Sequence, residues 1–160
     1  SQVIEDSHAR FDALNRTYKY YISSKKDPFN YKFSYFFRDK LDVDKMNESC
    51  QRLIKHKNFK CFSKSNTDVK TYDCDIQFAE WNVYRDGYKF SIRANRFLRN
   101  MVRSIVGTMI EIGTQKITDK DFQIILDSKD RRKAGYSVPA SVLFLTNINY
   151  KKIFETSWRK

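Results

Sequence analysis

The segment at residues 94–107, ANRFLRNMVRSIVG, constrains the fold of this chain most, because it combines core-forming apolar residues with three arginines. In a helix with about 100° per residue, Arg96, Arg99 and Arg103 lie within roughly 60° of one another, and apolar side chains cover the opposite side. We therefore predict an amphipathic helix over this segment that continues to Gly113, a natural C-terminal cap.

Arg103 differs from the other two arginines because its side of the predicted helix turns apolar beyond it. The residues that follow on that side are Val106, Gly107 and Ile110. Arg103 should therefore be partly buried, and a buried arginine needs a carboxylate or phosphate partner, since an unpaired buried charge costs several kcal/mol. For Arg96 and Arg99, a solvated helix face explains the charges equally well.

The composition predicts a single folded domain with a polyanionic partner. The chain has 160 residues, of which 41% are apolar and 16% aromatic, enough for a globular core. Lysine and arginine number 31 against 19 acidic residues, a net charge of +12, which favours nucleic acid as the partner. Since no apolar run approaches the roughly 20 residues of a spanning helix, we expect no membrane partner.

The three cysteines, Cys50, Cys61 and Cys74, are odd in number and lack CxxC spacing. Only His8 and His56 could join them as metal ligands. We therefore interpret them as reduced core residues rather than as a metal site or a disulfide, and expect no cofactor. Reduced cysteines place the protein in the cytoplasm.

Hydrophobic periodicity predicts an α+β domain that spans residues 1–160, in which helices cover one face of a mixed, largely antiparallel sheet. Strands are expected at 17–23, 72–83, 88–94 and 142–150, the last one mostly apolar and therefore central. Further helices should cover 43–56, capped by Asp42 or Asp44, and begin at Thr118 with Asp121 in a capping box. The dipeptide Asp86-Gly87 predicts a hairpin.

Three segments together resemble the pseudouridine synthases that modify the anticodon arm of tRNA, the TruA family. They are HARFDALNRTYKY at 8–20, ANRFLRNMVRSIVG at 94–107 and KDRRKAGYSVPAS at 129–141. The middle segment is long and specific, and all three follow the order and spacing of the family. The resemblance implies an isomerase that detaches uracil from C1′ of the ribose, turns it and rejoins it through C5, without cofactor or metal.

The resemblance also implies that this chain is the C-terminal half of a two-domain enzyme. The family's nucleophile is an aspartate in an RTDxGVH motif of the N-terminal domain, and this sequence contains no such motif. We therefore expect the chain alone to be inactive and to need the N-terminal domain of the same protein as its partner. The chain begins only a few residues before His8, as a piece of a longer protein would.

Two residues match family positions with direct roles in the reaction. Arg103 matches the arginine that orients the nucleophilic aspartate and keeps it ionised. Tyr18 matches the tyrosine beside the target base, where its ring can stack on an everted uracil and its hydroxyl can lie near C5. Simple core packing is the other interpretation of Tyr18.

Further residues are predicted to bind RNA or to line the pocket. His8 and Arg10 resemble positions at the cleft of the family, and a surface role is equally open for each. The predicted RNA-binding face consists of Lys89, Arg93, Arg96 and Arg99. Asp130 and Arg131 resemble an acid–base pair near the site or form a structural ion pair, whereas Leu143 and Leu145 either wall the uracil pocket or fill the core.

We therefore predict one half of an isomerase that converts uridine to pseudouridine in the anticodon stem-loop of tRNA and that is a homodimer as the full protein. The alternative is an RNA-binding α+β module without chemistry, which a conservative change at Arg103 separates from the enzyme. A dimerisation domain is a third possibility, because the aromatic segment 31–37 could form an interface.

Overall fold

The computed structural model describes residues 13–29 and 31–150, and within them it confirms the α+β class. In chain order the elements are β1 Ala13–Ser23, β2 Tyr35–Phe36, α1 Val43–Lys55, β3 Ile76–Tyr84, β4 Gly87–Ala94, α2 Met101–Gly113, α3 Asp119–Ser128 and β5 Leu143–Tyr150. The prediction did not contain the short β2, which lies in the aromatic stretch 29–37.

The sheet is mixed but largely antiparallel, with β1 at its centre. β1 pairs antiparallel with β4 and with β5 and parallel with β2, and β4 pairs antiparallel with β3. One row across the sheet joins Tyr20, Phe90 and Trp81, whose side chains are at most 1% exposed. These rings face the helices, so this side of the sheet carries the core.

No helix of residues 13–29 and 31–150 covers the other face of the sheet, and we call it the open face. Along each strand, residues on the open face alternate with residues on the core face, because successive side chains point to opposite sides. The rows of the open face pair Tyr21 with Lys89 and Asn82, and Thr17 with Arg93 and Phe78.

The prediction that the last strand is central is wrong. Among the described residues β5 pairs with β1 alone, at the edge of the sheet, and most of its side chains are exposed. Only its first residues, Leu143 and Phe144, pack against the core. The apolar run at 142–145 is typical of a central strand, but within β5 only the first residues are packed against the core.

The helix predicted at 94–112 begins later than expected. β4 continues to Ala94, where it pairs with β1, and α2 begins only at Met101, after Asn100 in a left-handed conformation with φ 69°. The loop between them is fixed by Asn95, whose side chain accepts a hydrogen bond from the Asp75 amide at 2.7 Å. Arg96 and Arg99 therefore precede the helix and do not share a helical face with Arg103. Gly113 is the last helical residue and Thr114 the cap.

The predicted hairpin between β3 and β4 is confirmed, but its turn lies one residue earlier than Asp86-Gly87. The turn residues are Arg85, with φ 50°, and Asp86, whereas Gly87 already pairs with Tyr84. Gly87 has no positive φ, and a Cβ there would lie 1.9 Å from the carbonyl oxygen of Ile22. The glycine is needed because β1 approaches closely.

The predicted helices α1 and α3 are confirmed together with their N-terminal caps. The side chain of Asp42 accepts from the Lys45 amide at 3.1 Å, and Thr118 and Asp121 form the reciprocal capping box. Asp119 ties the two helices together, because it accepts a hydrogen bond from Ser49 at 2.9 Å and pairs with Arg52 at 2.6 Å.

The three cysteines are free and buried, as predicted. Burial raises the pKa of the thiols of Cys50 and Cys61 to about 12 and that of Cys74 to about 11, so all three stay neutral. No helix among the described residues is long and apolar enough to cross a membrane.

Candidate functional site

The first turn of α2 and the chain near residue 138 are joined by two hydrogen bonds. The Nε of Arg103 donates to the carbonyl oxygen of Val138 at 2.7 Å, and the amide of Val138 donates to the carbonyl oxygen of Arg103 at 3.3 Å. Arg103 is partly buried, as the sequence predicted. Within residues 13–29 and 31–150 no carboxylate forms a salt bridge with it. Its terminal nitrogens can therefore donate hydrogen bonds to an acidic partner.

Tyr20 links β1 to the same segment. Its hydroxyl donates to the carbonyl oxygen of Pro139 at 2.9 Å, next to the residue that holds Arg103. Burial raises the pKa of this hydroxyl above its usual range, and the nearby positive charge of Arg103 opposes that rise. Tyr20 is thus a neutral core residue that fixes the segment at 138–139 against the sheet.

Tyr18 lies two residues before Tyr20 on the same face of β1. It is partly buried, and its ring meets the ring of Phe97 edge to face, with centroids 5.1 Å apart. Phe97 belongs to the loop that leads into α2, the helix of Arg103. The ring of Tyr18 is therefore held at the end of the sheet where α2 begins.

The two leucines predicted for the pocket wall come from β5. Leu143 pairs with Tyr20 and is partly buried, whereas Leu145 pairs with Tyr18 and is 45% exposed. Since directly paired residues share a face, both leucines lie on the side of β1 that carries the two tyrosines. The structure thus places Tyr18, Leu143 and Leu145 on one face of the sheet. Arg103 is linked to that face through the segment at 138–139, which Tyr20 also binds.

The segment before Val138 packs closely against α2 at two glycines, Gly107 and Gly135. A Cβ at Gly107 would lie 1.8 Å from the carbonyl oxygen of Tyr136, and the amide of Gly135 donates to the Thr108 hydroxyl at 2.8 Å. No pattern in the sequence predicts this contact. Its only sequence signal is that Gly107 and Gly135, two of four glycines, lie in the two segments that meet.

The structure corrects the predicted pairing of Asp130 with Arg131. Asp130 instead forms a salt bridge with Arg132 at 3.0 Å, and the hydrogen bonds of the Arg132 side chain lower the pKa of this carboxyl. Arg131 donates to the carbonyl oxygen of Gly135 and to the hydroxyl of Ser137, both at 3.0 Å. Arg131 therefore supports the segment that holds Arg103, and Asp130 starts a short 3-10 turn at Arg131–Lys133.

The predicted RNA-binding residues do not form one surface. Lys89 and Arg93 lie on the open face, where their cationic groups sit over the rings of Tyr84 at 5.2 Å and Phe78 at 5.8 Å. These two side chains lie on the opposite face of the sheet from Tyr20, whose hydroxyl binds the segment that holds Arg103.

The two loop arginines also differ from each other. Arg96 uses one guanidinium nitrogen to bind the carbonyl oxygens of Thr71 and Asp73, at 2.9 and 3.0 Å, whereas Arg99 is exposed. Arg96 therefore has a structural role in holding this loop. His8 and Arg10 lie outside the described residues.

The sequence matches a family model and several curated relatives. The model of a family described as tRNA pseudouridine synthase matches residues 50–151. Three relatives are each named tRNA pseudouridine synthase A. The protein of Parabacteroides distasonis is 51% identical over 92% of this chain and 59% of its own length. The protein of Bacteroides fragilis is 50% identical over 96% of this chain and 62% of its own length. The protein of Bacillus subtilis is 33% identical over 94% of this chain and 62% of its own length. The chain thus spans about 60% of the length of these relatives.

Proposed function

The chain belongs to the tRNA pseudouridine synthase family, and on this premise we propose that it is the C-terminal part of an enzyme that converts uridine to pseudouridine in tRNA. The observation that supports this proposal is the environment of the Arg103 side chain. This arginine is partly buried and anchored through Nε, and it has no carboxylate partner among the described residues. Such a cation fits a site whose acidic group comes from another part of the protein.

The proposed role of Arg103 is to hold a nucleophilic aspartate that the N-terminal domain supplies. A guanidinium beside a carboxylate lowers the pKa of that carboxylate and fixes its orientation, because its planar fork binds both oxygens. The Val138 carbonyl holds the Nε edge of Arg103 and leaves the terminal nitrogens for the carboxylate. The aspartate would then remain ionised in a closed pocket.

Tyr18 and Leu143 are proposed to hold the everted uracil. A flipped base is bound by stacking and apolar contacts, and the two side chains lie on one face at the end of the sheet. In the reaction the bond between C1′ and N1 breaks, the uracil turns, and a bond between C1′ and C5 forms. C5 loses its proton and N1 gains one, so the product is an isomer of the substrate.

The substrate is proposed to be the anticodon stem-loop of tRNA, and the full enzyme a homodimer in the cytoplasm. The net charge of +12 supports a polyanionic substrate, and free buried thiols fit a reducing compartment. Stem recognition should depend on shape and phosphates, because an RNA duplex exposes little sequence in its accessible groove. Among the predicted contacts, His8, Arg10, Lys89, Arg93 and Arg99 remain candidates on this proposal.

The test compares the full-length protein with this chain alone, on tRNA that carries tritium at C5 of its uridines. Tritium release reports loss of the C5 proton, which isomerisation requires. We expect release by the full-length protein and none by the chain alone. A tRNA with cytidines in place of the anticodon-stem uridines is the control and should release none.

Each unexpected result has a distinct meaning. Release by the chain alone would overturn the assignment of the nucleophile to the N-terminal domain. Binding without release by the full-length protein would instead favour the RNA-binding module without chemistry.

A further inference from the structure

A groove of about 470 Å³ is lined in part by Arg131, which binds the segment leading to Val138. We call it the basic groove and define it by its five cationic residues, Lys60, Lys64, Lys129, Arg131 and Arg132. The first two come from the chain after α1, and the other three follow α3. The wall also contains one carboxylate, Asp130, and one aromatic ring, Tyr72.

The charge of the basic groove is largely uncompensated. Asp130 pairs with Arg132, and none of the other four cations forms a salt bridge within residues 13–29 and 31–150. Lys60, Lys64 and Lys129 are exposed, and the ammonium of Lys60 lies 5.5 Å from the centre of the Tyr72 ring. Like charges gathered in one cleft repel one another, so the groove gains most from an anionic ligand.

The backbone of the groove is held in place before any ligand binds. The Lys64 amide donates to the carbonyl oxygen of Arg99 at 2.9 Å, and the Thr67 hydroxyl donates to the carbonyl oxygen of Lys64 at 3.0 Å. On the other wall Lys129 ends α3 in a left-handed conformation with φ 54°. Little ordering of the backbone is therefore needed on binding.

Hydrogen bonds connect the groove directly to Arg103. The hydroxyl of Ser137 accepts from Arg131 at 3.0 Å and from the side chain of Asn100 at 2.6 Å. The next residue, Val138, accepts the Nε of Arg103. The groove and the Arg103 side chain are therefore both fixed by the segment at 137–138.

We infer that the basic groove binds the sugar–phosphate backbone of the RNA beside the target nucleotide, an inference that rests on the proposed function. The flexible lysines suit phosphates along an irregular backbone, and Tyr72 offers a ring to one base or ribose. Lys89 and Arg93 lie on the open face, so on this inference they would contact a different stretch of the RNA.

The test uses the full-length protein with a triple substitution, K60A/K64A/K129A, and measures the Kd for an unmodified tRNA transcript at several salt concentrations. Each phosphate contact contributes roughly 0.7 to 0.9 to the slope of log K against log salt. We expect the slope to fall by about two and the Kd at low salt to rise at least tenfold. The ratio kcat/KM should fall together with the affinity, because the substituted lysines are proposed to bind the substrate.

The matched control is K45A/K116A/K120A, which removes the same charge from exposed positions on or beside the helices. Its Kd should change less than about threefold. An equal loss of affinity in both triple variants would overturn the inference, because general electrostatics would then explain it. Unchanged binding by the groove variant would overturn it as well.

The outcomes also separate this inference from the proposed function. If the unsubstituted protein releases no tritium but loses RNA binding on K60A/K64A/K129A, the proposed function fails and the basic groove stands. If it isomerises uridine and the groove variant binds tRNA normally, the groove inference alone fails.

Discussion

Arg103 and Val138 hold each other through two hydrogen bonds, one from the Arg103 Nε to the Val138 carbonyl at 2.7 Å and one between their backbones at 3.3 Å. The two residues are separated by 35 positions and by the whole of α3. Because one edge of the guanidinium is used in this contact, the direction of the other edge is fixed. The fold therefore fixes the orientation of a cation that has no salt-bridge partner within residues 13–29 and 31–150.

The first prediction concerns Arg103→Lys in the full-length protein. A lysine keeps the charge but has one nitrogen, which cannot bind the Val138 carbonyl and both oxygens of a carboxylate at once. We expect turnover to fall by at least 100-fold, roughly 3 kcal/mol of transition-state stabilisation, with tRNA affinity changed by less than about threefold. Single-turnover kinetics and a binding titration measure the two quantities.

The control for this prediction is Arg99→Lys, at an exposed arginine in the loop before α2. It should leave both quantities nearly unchanged. If Arg103→Lys reduces turnover only through weaker binding, Arg103 contacts phosphate rather than orienting a carboxylate.

The second prediction concerns the ring of Tyr18. If this ring stacks on the uracil, Tyr18→Phe should keep the affinity and Tyr18→Leu should weaken it by roughly 1 to 3 kcal/mol. Tyr21→Leu, on the open face of the same strand, is the matched control and should leave tRNA binding unchanged. The affinity for tRNA is measured with each substitution introduced into a catalytically inactive variant of the full-length protein. Loss of turnover in Tyr18→Phe at unchanged affinity would instead assign the proton transfer to the hydroxyl.

The third prediction compares two glycines of α2. An alanine at 107 would place its Cβ 1.8 Å from the Tyr136 carbonyl oxygen, whereas at 113 it would meet the flexible end of Met46 at 2.6 Å. Both changes gain about 1 kcal/mol of helix propensity. We expect Gly107→Ala to lower stability by about 3 kcal/mol or more and Gly113→Ala to change it by less than about 1 kcal/mol.

Thermal unfolding of the full-length protein checks this comparison. Gly107→Ala should also reduce turnover in the protein that stays folded, because it displaces the segment that holds Arg103. Equal shifts of Tm in the two variants would show that the contact between α2 and Tyr136 is looser than the structure indicates.

The fourth prediction concerns the pH dependence of stability through Asp119. The hydrogen bond from Arg52 lowers the pKa of this carboxyl in the folded state. A carboxyl whose pKa is lowered in the folded state stabilises the fold at pH values above its ordinary pKa of about 3.9. This stabilisation is lost as the pH falls through the pKa of the folded state. Asp119→Asn should therefore be less stable at pH 7 and should lose less stability between about pH 5 and pH 3.

Denaturant unfolding at a series of pH values measures this difference. Asp68→Asn, at an exposed aspartate, is the control and should follow the unsubstituted protein. Parallel curves for Asp119→Asn and the unsubstituted protein would show that the pair with Arg52 contributes nothing.

Local sequence signals predicted the elements that depend on local interactions. The caps at Asp42 and Thr118 bind amides three residues away, and the faces of α1 follow the helical period. The partial burial of Arg103 followed in the same way from the apolar residues beyond it in α2. Each of these features depends on side chains within about two helical turns.

The errors all concern contacts between distant parts of the chain. Whether the helix begins after Ala94 or only at Met101 depends on the loop at 95–100, in which Asn95 binds the amide of Asp75, 20 positions away. The edge position of β5 depends on which strands occupy the other side of β1. Four cationic residues lie within three positions of Asp130, and Arg131 instead binds the segment at 135–137.

The sequence by itself thus determined the α+β class, the caps, the periodic core faces and the family, because these depend on neighbouring residues and on matching motifs. Only the tertiary structure decided that Lys89 and Arg93 lie on the opposite side of the sheet from Arg103, and that the lysines at 60, 64 and 129 gather beside it. Such placements are set by the sum of many weak contacts between distant segments, and no local pattern encodes that sum.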